Sequence, residues 1–426
     1  MTSNKEILLA YYGDDFTGST DALEFITRAG AKAVLFTEPP TTEQLKAFPD
    51  LDVYGVAGKT RALSPDEMEK ILLPAFEQMK ASGAKHIHYK VCSTFDSSPT
   101  IGSIGKAIDC GATIFNSKII PVLGGMPALG RFCAFGNLFA KMGIGSEGKI
   151  YRLDRHPSMS KHPSTPMNES DLRIHLGKQT SKPIGLIDIT QLKNDVAEWN
   201  SNEKVILVDA LSEEHLEKTG EWLNYLQNDV PLFSVGSSGI EMALGKYWNK
   251  IGLLTPKTEF NRIEASVPLL VVSGSCSPVT AAQIDFAKQN GFKEVIIDAL
   301  KICNDESVDE KLLADISALL NQGQHVIVHT GDKQTNQLPP EKLGAALGYI
   351  AKHAVRNSNV RRVIFSGGDT SSYAARALGI EAVEMIAPFA IGAPLCKAIS
   401  ADKDVNGMEV NFKGGQVGNE KYFTLL

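Results

Sequence analysis

The stretch YYGDDFTGSTDALE, Tyr11–Glu24, indicates the fold of the first half of the chain. An apolar run, Ile7–Ala10, precedes it, and apolar residues at helical spacing follow from Ala22 onward. This order predicts the end of a strand, a tight turn and the start of a helix. In an open α/β sheet, ligands bind beyond the carboxyl ends of the strands, so this turn is a candidate ligand site.

Two adjacent carboxylates, Asp14 and Asp15, lie in the turn. Such a pair suits a polar substrate, because one aspartate can orient or deprotonate a hydroxyl. The pair is equally typical of a helix N-terminus, where an Asp side chain accepts hydrogen bonds from free backbone N–H groups. A substrate site and a helix cap are both consistent with these two residues.

The composition is that of an ordinary globular protein. The 426 residues favour two or three domains, and 43% are hydrophobic and 22% charged. With a formal net charge of −6 and no basic stripe, nucleic acid is not an expected partner. No apolar run approaches the ~20 residues of a membrane helix, and the N-terminus lacks a signal-peptide pattern. The lack of such a run predicts no membrane partner. The six cysteines form no CxxC pair, which predicts reduced thiols in a cytoplasmic protein.

Short strand-like runs alternate with helix-like segments in the first half. The predicted strands are Ala33–Thr37, Val53–Ala57, His86–Val91 and Ile114–Val122, with helices at Glu67–Lys80 and near Gly105–Asp109. Residues 152–176, rich in proline and charge, are predicted to form a long loop that enters a helix near Ser170. Strands that alternate with helices indicate a mostly parallel sheet.

The periodicity breaks at Gly252–Ser266, and a new α/β pattern starts at Pro268. We therefore predict an α/β protein of two domains, residues 1–257 and 258–426. Each domain is a mostly parallel sheet flanked by helices, with a cleft between them. The glycines of residues 400–426 predict a hairpin in the tail.

Three turns of the second domain are candidates for phosphate chemistry: SGSCSP at Ser273–Pro278, SGGDT at Ser366–Thr370, and NFKGGQVG at 411–418. Glycine lets backbone N–H groups approach phosphate oxygens closely, and Ser and Thr hydroxyls add donors. Two such turns that face each other form a candidate nucleotide site. None matches the GxxxxGK[ST] loop, and a single Gly/Ser turn is more often structural. Asp369 suits Mg²⁺ held through water, a ribose contact or a helix cap.

Together these motifs resemble the four-carbon acid sugar kinase family over essentially the whole chain. The resemblance is carried by GDDFTGSTD (13–21), TR (60–61), YKVCSTFDSSPTIGSIG (89–105), GR (130–131), HPSTPMNESDL (162–172), GSSGIEMAL (236–244), VSGSCSPVTAAQI (272–284), FSGGDTSSYAARALGI (365–380), GAPL (392–395) and KGGQVG (413–418). It implies a sugar-acid-binding first domain and an ATP-binding second domain. The implied reaction is phosphorylation of a tetronate, a 3-oxo-tetronate or a branched acid such as 3-oxo-isoapionate.

The resemblance also implies roles for individual residues. Those implied for the sugar acid are Asp14, Asp15, Arg61, Lys90, Ser93, Asp96, Arg131 and His162. Those implied for the nucleotide are Ser273, Ser275, Gly367, Gly368, Asp369, Thr370, Gly415 and Gly418. Arg61 suits the substrate carboxylate, because a guanidinium fork binds a carboxylate bidentately.

Phosphoryl transfer depends on positioning and charge neutralisation more than on covalent chemistry. We therefore expect ATP and Mg²⁺ at the turns of the second domain, and Asp15 as the acceptor of the proton from the attacking hydroxyl. Lys90 is the second expected catalytic residue; its structural alternative is an ion pair with Asp96.

Three histidines have structural alternatives. His162 is either a substrate contact or the cap of a loop. His86 and His88 alternate on a predicted strand, where a structural role is more frequent than metal ligation.

Two other functions are compatible with the same architecture. A non-catalytic two-domain sugar-acid sensor would keep the first site without phosphoryl transfer. A nicotinamide-dependent dehydrogenase would need a Rossmann glycine fingerprint after the first strand, which this chain lacks. The sequence leaves the oligomeric state open, a homodimer included.

Overall fold

The structure, a computed structural model, describes residues 6–142, 148–162, 164–199, 202–227, 231–275, 277–305, 307–331 and 338–426. Cys276 lies outside these ranges, as does the side chain of Asp369. The chain divides into two compact units, Met1–Val34 with Glu38–Thr258 and Leu35–Thr37 with Glu259–Leu426. We call them the first unit and the second unit.

The first unit alternates strands and helices. Its strands are Leu9–Gly13 (β1), Ala33–Phe36 (β2, whose Leu35 and Phe36 belong to the second unit), Val53–Ala57 (β3), His86–Lys90 (β4), Ile120–Leu123 (β5), Arg131–Ala134 (β6), Asn137–Lys141 (β7), Ile150–Arg152 (β8), Ile184–Ile187 (β9), Val205–Val208 (β10) and Leu232–Gly236 (β11). Its helices are Phe16–Arg28 (α1), Thr42–Lys46 (α2), Pro65–Ala81 (α3), Ile104–Phe115 (α4), Leu172–Gly177 (α5), Glu213–Tyr225 (α6) and Gly239–Lys250 (α7).

The main sheet of the first unit is parallel, in the order β3-β1-β4-β11-β5-β10-β9. All strands of this sheet except the half-buried edge strand β9 are buried, and an aromatic cluster packs on the sheet, with the rings of Phe76, Phe115 and Phe233 5.2–5.5 Å apart. β1, β4 and β11 end in register, because Lys90 pairs with both Gly13 and Gly236. This common edge is where the polar turns emerge.

The second unit has the same alternation. Its strands are Leu269–Ser273 (β12), Lys293–Ile296 (β13), Val326–His329 (β14), Arg362–Ser366 (β15), Ala382–Ala390 (β16), Ala393–Ile399 (β17) and Glu409–Lys413 (β18). Its helices are Pro278–Gln289 (α8), Ala299–Asp305 (α9), Glu310–Asn321 (α10), Pro340–Asn357 (α11) and Gly368–Leu378 (α12). The order is β13-β14-β12-β15-β18-β17-β16; the first five strands are parallel, and β17 is antiparallel to both neighbours. The predicted two-domain, mostly parallel α/β class is confirmed.

Several predicted element limits were wrong for local reasons. The strand predicted at Ile114–Val122 starts only at Ile120, because α4 continues through Phe115 and ends at Asn116 in the left-handed conformation (φ 51°). Helix α3 starts before Glu67, because Ser64 caps it and the Glu67 carboxylate accepts a hydrogen bond from the Ser64 N–H. A hairpin does reach the predicted tail, but it begins earlier: β17 pairs antiparallel with β18 across residues 400–408, so Gly407, and not the later glycines, lies in its connection.

A small antiparallel sheet, β6-β7-β8, was not predicted. β6 and β7 are joined by Phe135 and Gly136, both at positive φ (50° and 80°). The Asp209 carboxylate accepts hydrogen bonds from both N–H groups of this turn, at 2.5 and 2.9 Å. The turn therefore depends on a residue 74 positions away in sequence, which no local pattern reveals. The helix predicted near Ser170 is α5, which begins at Leu172, and the segment before it contains two short 3₁₀ turns.

No helix in the described part of the chain combines the length and the hydrophobicity that crossing a bilayer requires.

Candidate functional site

The two aspartates after β1 are joined by one arginine. The Arg61 guanidinium donates from Nε and Nη2 to the two oxygens of Asp14, at 3.0 and 2.7 Å, and from Nη1 to Asp15 at 2.6 Å. The side chains of Asp14 and Asp15 are buried, whereas that of Arg61 is 23% exposed. The guanidinium thus has one edge on the carboxylates and part of its surface open to solvent.

Asp15 is also the cap of α1. Its Oδ1 accepts from the Gly18 N–H at 2.8 Å, and its Oδ2 accepts from the Thr17 hydroxyl at 2.9 Å. The geometry of Asp15 is therefore that of the predicted helix cap. In this position its carboxylate also lies beside Arg61. Asp14, by contrast, makes its two side-chain bonds to Arg61.

Lys90, the last residue of β4, lies buried beneath this turn. Its Nζ is 3.6 Å from Asp21 Oδ2, so its ion pair is with Asp21 and not with Asp96, the predicted structural alternative. A Cβ at Gly18 would come within 2.5 Å of both Lys90 Nζ and Asp15 Oδ1. Only glycine therefore allows α1 to start this close to the ammonium group.

Four buried residues extend this cluster. The Ser238 hydroxyl, at the start of α7, donates to Asp21 Oδ2 at 2.6 Å. Glu241 Oε1 lies 2.6 Å from His88 Nδ1, and His88 Nε2 lies 3.1 Å from the Gly236 carbonyl. The roles of Asp21, Ser238 and Glu241 were not predicted. One signal was available for Asp21, which is the last residue of the GDDFTGSTD motif (13–21).

Burial and charge set the protonation of the four charged groups. Burial, together with the negative charge of Asp15, raises the pKa of Asp14 against the opposing effects of Arg61 and Lys90. Burial acts on Asp15 in the same direction, but Arg61, Lys90 and the Gly18 N–H outweigh it and lower the pKa. Burial raises the pKa of Asp21. For Lys90, burial is outweighed by the nearby aspartates, which raise its pKa, so the group is a stable cation.

The other residues expected to bind the sugar acid lie in the same unit. Ser93 and Asp96 are buried in the turn after β4, where Asp96 Oδ1 accepts from the Thr94 hydroxyl at 2.7 Å. Arg131 is buried at the start of β6 and donates from Nη1 to the Leu129 carbonyl, and its Nε has no partner among the described residues.

His162 makes the contacts of a loop cap. Its Nδ1 lies 3.2 Å from the Thr165 N–H nitrogen and 3.0 Å from the Thr165 hydroxyl. These contacts hold the turn that follows His162, and they match the structural alternative considered for this residue.

The predicted nucleotide turns of the second unit lie side by side. Ser273, at the end of β12, pairs with Ser366 at the end of β15, and Ser366 pairs with Lys413 at the end of β18. The Gly274 N–H donates to the Ser366 carbonyl, and the Gly367 N–H donates to the Lys413 carbonyl. Three strand ends and three turns therefore form one edge of the sheet.

Two glycines allow these turns to pack closely. Gly367 has φ of 125°, and a Cβ there would lie 2.5 Å from Thr370 Oγ1 and 3.3 Å from the Ser275 nitrogen. A Cβ at Gly415 would lie 3.1 Å from Ser275 Oγ. Gly418, also at positive φ (81°), lies against the ring of Tyr422. Gly368 is the first residue of α12, which also contains Asp369 and Thr370.

Lys413 was not predicted as a site residue. Its Nζ donates to the Thr280 hydroxyl and to the Gly414 carbonyl, both at 3.0 Å. The signal for it was available, since it is the first residue of the KGGQVG motif and stands directly before two glycines.

The remaining candidate features are metal ligands and cysteine thiols. In the described ranges, no group of three or more His, Cys, Asp and Glu side chains is arranged to hold a metal ion. Cys92, Cys110, Cys133, Cys303 and Cys396 are free thiols, as predicted.

Two family models match the chain. A sugar-binding N-terminal domain matches residues 9–244, and a nucleotide-binding C-terminal domain matches residues 270–423.

Curated relatives match the chain almost end to end. The 3-oxo-isoapionate kinase of Paraburkholderia graminis is 40% identical, over 99% of this chain and 94% of that protein. The 3-oxo-tetronate kinase of Pseudomonas fluorescens is 29% identical, over 99% of this chain and 97% of its own length.

Solved structures show the same fold. A protein of Salmonella typhimurium described as a putative tRNA synthase superposes with a TM-score of 0.76 at 24% identity, over 99% of this chain and 98% of that one. A Haemophilus influenzae protein from a family of unknown function superposes with a TM-score of 0.69 at 22% identity, over 98% of both chains.

The fold, the paired domain matches and the named relatives define a phosphotransferase of small carbohydrates, a sugar-acid kinase. Within that class the chain belongs to the four-carbon acid sugar kinase family. The predicted family and the predicted kinase activity are thereby confirmed.

Proposed function

We propose that this chain transfers the γ-phosphate of ATP to a hydroxyl of a branched 3-oxo sugar acid of the 3-oxo-isoapionate type. The observation that supports this substrate is the 40% identity to a 3-oxo-isoapionate kinase, against 29% to a 3-oxo-tetronate kinase of equal coverage. We further propose that it acts in the cytoplasm, where ATP is available and thiols such as those of its free cysteines stay reduced.

The sugar acid binds to the first domain, residues 1–257, at the Asp14–Asp15–Arg61 cluster. Arg61 has five N–H donors, of which three bind Asp14 and Asp15. Two donors and the exposed part of the guanidinium are left for the substrate carboxylate. Lys90 adds a fixed positive charge beneath the substrate.

One aspartate of the pair accepts the proton of the attacking hydroxyl. Asp15 is the predicted acceptor, and its lowered pKa keeps it ionised at neutral pH. Its oxygens, however, already accept from Gly18, Thr17 and Arg61. Asp14 has one side-chain bond per oxygen and a raised pKa, which suits proton acceptance better, so both residues are tested below.

The nucleotide binds to the second domain, residues 258–426, at the edge formed by the ends of β12, β15 and β18. Backbone N–H groups of glycine turns and the hydroxyls of Ser275 and Thr370 are phosphate donors of the usual kind. Mg²⁺ would arrive with the phosphates, which together with water supply most of its ligands, so the lack of an all-protein metal cage in the described residues is compatible with it. When bound, Mg²⁺ neutralises charge on the transferred phosphoryl group.

The test of the substrate is ADP release from ATP and Mg²⁺ with a panel of sugar acids, the position of the phosphate being read by NMR. We expect kcat/KM at least about tenfold higher for 3-oxo-isoapionate than for 3-oxo-tetronate, since tenfold corresponds to about 1.4 kcal/mol of transition-state binding. The reverse preference would reassign the substrate, and no ADP release with any acid would refute the proposal.

The test of the base compares Asp14→Asn and Asp15→Asn. We expect the variant of the true base to lose about 10²–10⁴-fold in kcat while ATP still binds. Asp66→Asn, an exposed aspartate in the first turn of α3, is the matched control and should keep full activity. An unchanged kcat in Asp15→Asn with a large loss in Asp14→Asn would assign the base to Asp14, and unchanged kcat in both would exclude the pair.

A further inference from the structure

We propose that Lys413 supplies the positive charge of the nucleotide site and takes up a proton when the polyphosphate binds. This inference rests on the proposed nucleotide-binding role of the second unit and gives a role to Lys413, the first residue of the KGGQVG motif, for which the resemblance implied none.

Lys413 lies where the three turns meet. It is the last residue of β18, its strand partner is Ser366, and its carbonyl accepts the Gly367 N–H at 2.9 Å. Its Nζ bonds the Thr280 hydroxyl, in the first turn of α8, and the carbonyl of Gly414. Thr280 in turn donates to the Gly415 carbonyl at 3.2 Å. The amine thus lies directly beneath the turns that are proposed to hold the phosphates.

The surroundings of this amine are neutral. The side chain is fully buried, and its hydrogen-bond partners are a hydroxyl and a carbonyl. Among the residues that the structure describes, no carboxylate lies within 4 Å of Nζ. Burial without a counter-charge lowers the pKa of Lys413 to about 7. In the free protein the group is therefore close to half protonated at neutral pH and mostly neutral at pH 8 or above.

Charged groups on the packed elements lie elsewhere or pair with one another. Arg362 and Glu409 are the first residues of β15 and β18, at the ends away from Lys413, and their side chains pair with each other at 2.6 Å. Tyr422 faces Lys413 with its ring centroid 5.6 Å from Nζ. The remaining titratable or charged groups of the packed elements are Cys396 and Lys397 on β17, Asp285 and Lys288 on α8, and Asp369, Tyr373 and Arg376 on α12. The side chain of Asp369 lies outside the part of the chain that the structure describes. The experiment below therefore includes the variant Asp369→Asn.

A bound polyphosphate would change this balance. Several negative charges placed within a few ångströms raise the pKa of a buried amine, so binding above the free-state pKa draws one proton onto Lys413. Below about pH 7 the group is charged in both states, and no proton is taken up. Above that pH, the affinity of the enzyme for the polyphosphate falls by up to about tenfold per pH unit. The fall ends at the pKa that Lys413 has in the complex.

The experiment is calorimetric titration of the intact enzyme with ATP and Mg²⁺ at pH 8.5, in buffers of different ionisation enthalpy. At this pH the phosphates are fully ionised and add no protons of their own. We expect uptake of about one proton by the wild type and of none by Lys413→Met, which should also bind ATP at least about tenfold more weakly. Lys413→Arg, charged at any working pH, should bind without uptake and without the loss of affinity between pH 7 and 9. Lys397→Met, an exposed lysine on the neighbouring strand, should behave as the wild type.

The outcomes separate this inference from the proposed function. No binding of ATP by the wild type would refute the nucleotide site itself. Binding without proton uptake, or equal uptake by Lys413→Met, would overturn the role of Lys413 alone. Proton uptake by Asp369→Asn but not by the wild type would also overturn the role of Lys413. Asp369 would then keep Lys413 protonated in the free wild-type protein. If Lys413→Met does not fold, the wild type and Lys413→Arg still decide the question.

Discussion

Lys90 and Lys413 end parallel strands in the two units, and both ammonium groups are buried. Lys90 lies close to Asp14, Asp15 and Asp21, which raise its pKa. Lys413 bonds a hydroxyl and a carbonyl, and burial lowers its pKa to about 7. The same residue type at the same place in a sheet is a permanent cation in one unit and a titrating group in the other.

The difference shows that neighbours, more than depth of burial, decide the charge of a buried lysine. In the first unit the counter-charges belong to the protein, and the cation stabilises a cluster of aspartates that suits a hydroxyl-bearing acid. In the second unit the described neighbours are neutral, and we infer that the counter-charge arrives with the nucleotide. Three substitutions test this comparison.

The largest effect is expected from Lys90→Met. Removing one member of a buried charged cluster leaves the others unpaired, which costs about 3–5 kcal/mol. Urea unfolding followed by tryptophan fluorescence measures this directly, because all three tryptophans, Trp199, Trp222 and Trp248, belong to the first unit.

The matched control is Lys32→Met, also in the first unit, where Lys32 pairs with Asp50 on the surface. Exposed ion pairs contribute little, so the urea midpoint should not move measurably. A shift for Lys90→Met no larger than that of the control would show that the Lys90 cluster is not held together by charge.

The second prediction concerns stability and pH in the second unit. The pKa of Lys413 is about 7 in the folded state and near 10.5 in the unfolded chain, so between these values the unfolded state binds more protons. Stability therefore rises with pH in this window, by up to about 1.4 kcal/mol per pH unit. Calorimetric unfolding at pH 7.5 and 9.0 should show this rise in the wild type and not in Lys413→Met. Parallel behaviour of the two proteins would mean that Lys413 keeps its proton in the folded state.

The smallest of the three effects is expected from Ser238→Ala. The variant loses the 2.6 Å hydrogen bond to Asp21, whose remaining contact is the longer one to Lys90. We expect the free energy of unfolding, followed by tryptophan fluorescence, to fall by about 1.5 kcal/mol. This is the lower end of the range for a hydrogen bond to a charged group. Ser237→Ala is the control, since the Ser237 oxygen accepts a long bond of 3.4 Å from the Gly239 N–H. Equal losses in the two variants would remove Ser238 from the Lys90 cluster.

Much of the fold was predictable because its signals are local. Alternating apolar runs and helical spacing predicted the α/β class, and the turns after β1, β12 and β15 were identified by their glycines, aspartates and hydroxyls. The β6–β7 turn was missed, since the carboxylate that holds it comes from Asp209. The partner of Lys90 was missed for a similar reason, because Asp21 lies on a helix and Asp96 was closer in sequence.

The sequence by itself determined the class of fold, the positions of the candidate ligand-binding turns and the family, since residue periodicity and turn chemistry act over a few neighbouring positions. The tertiary structure alone decided which groups meet: Glu241 with His88, 153 residues apart, and Lys413 with Thr280, 133 residues apart. It also decided the charge of each buried group. A pKa depends on burial and on neighbours that come from distant parts of the chain, and only the folded sheet brings them together.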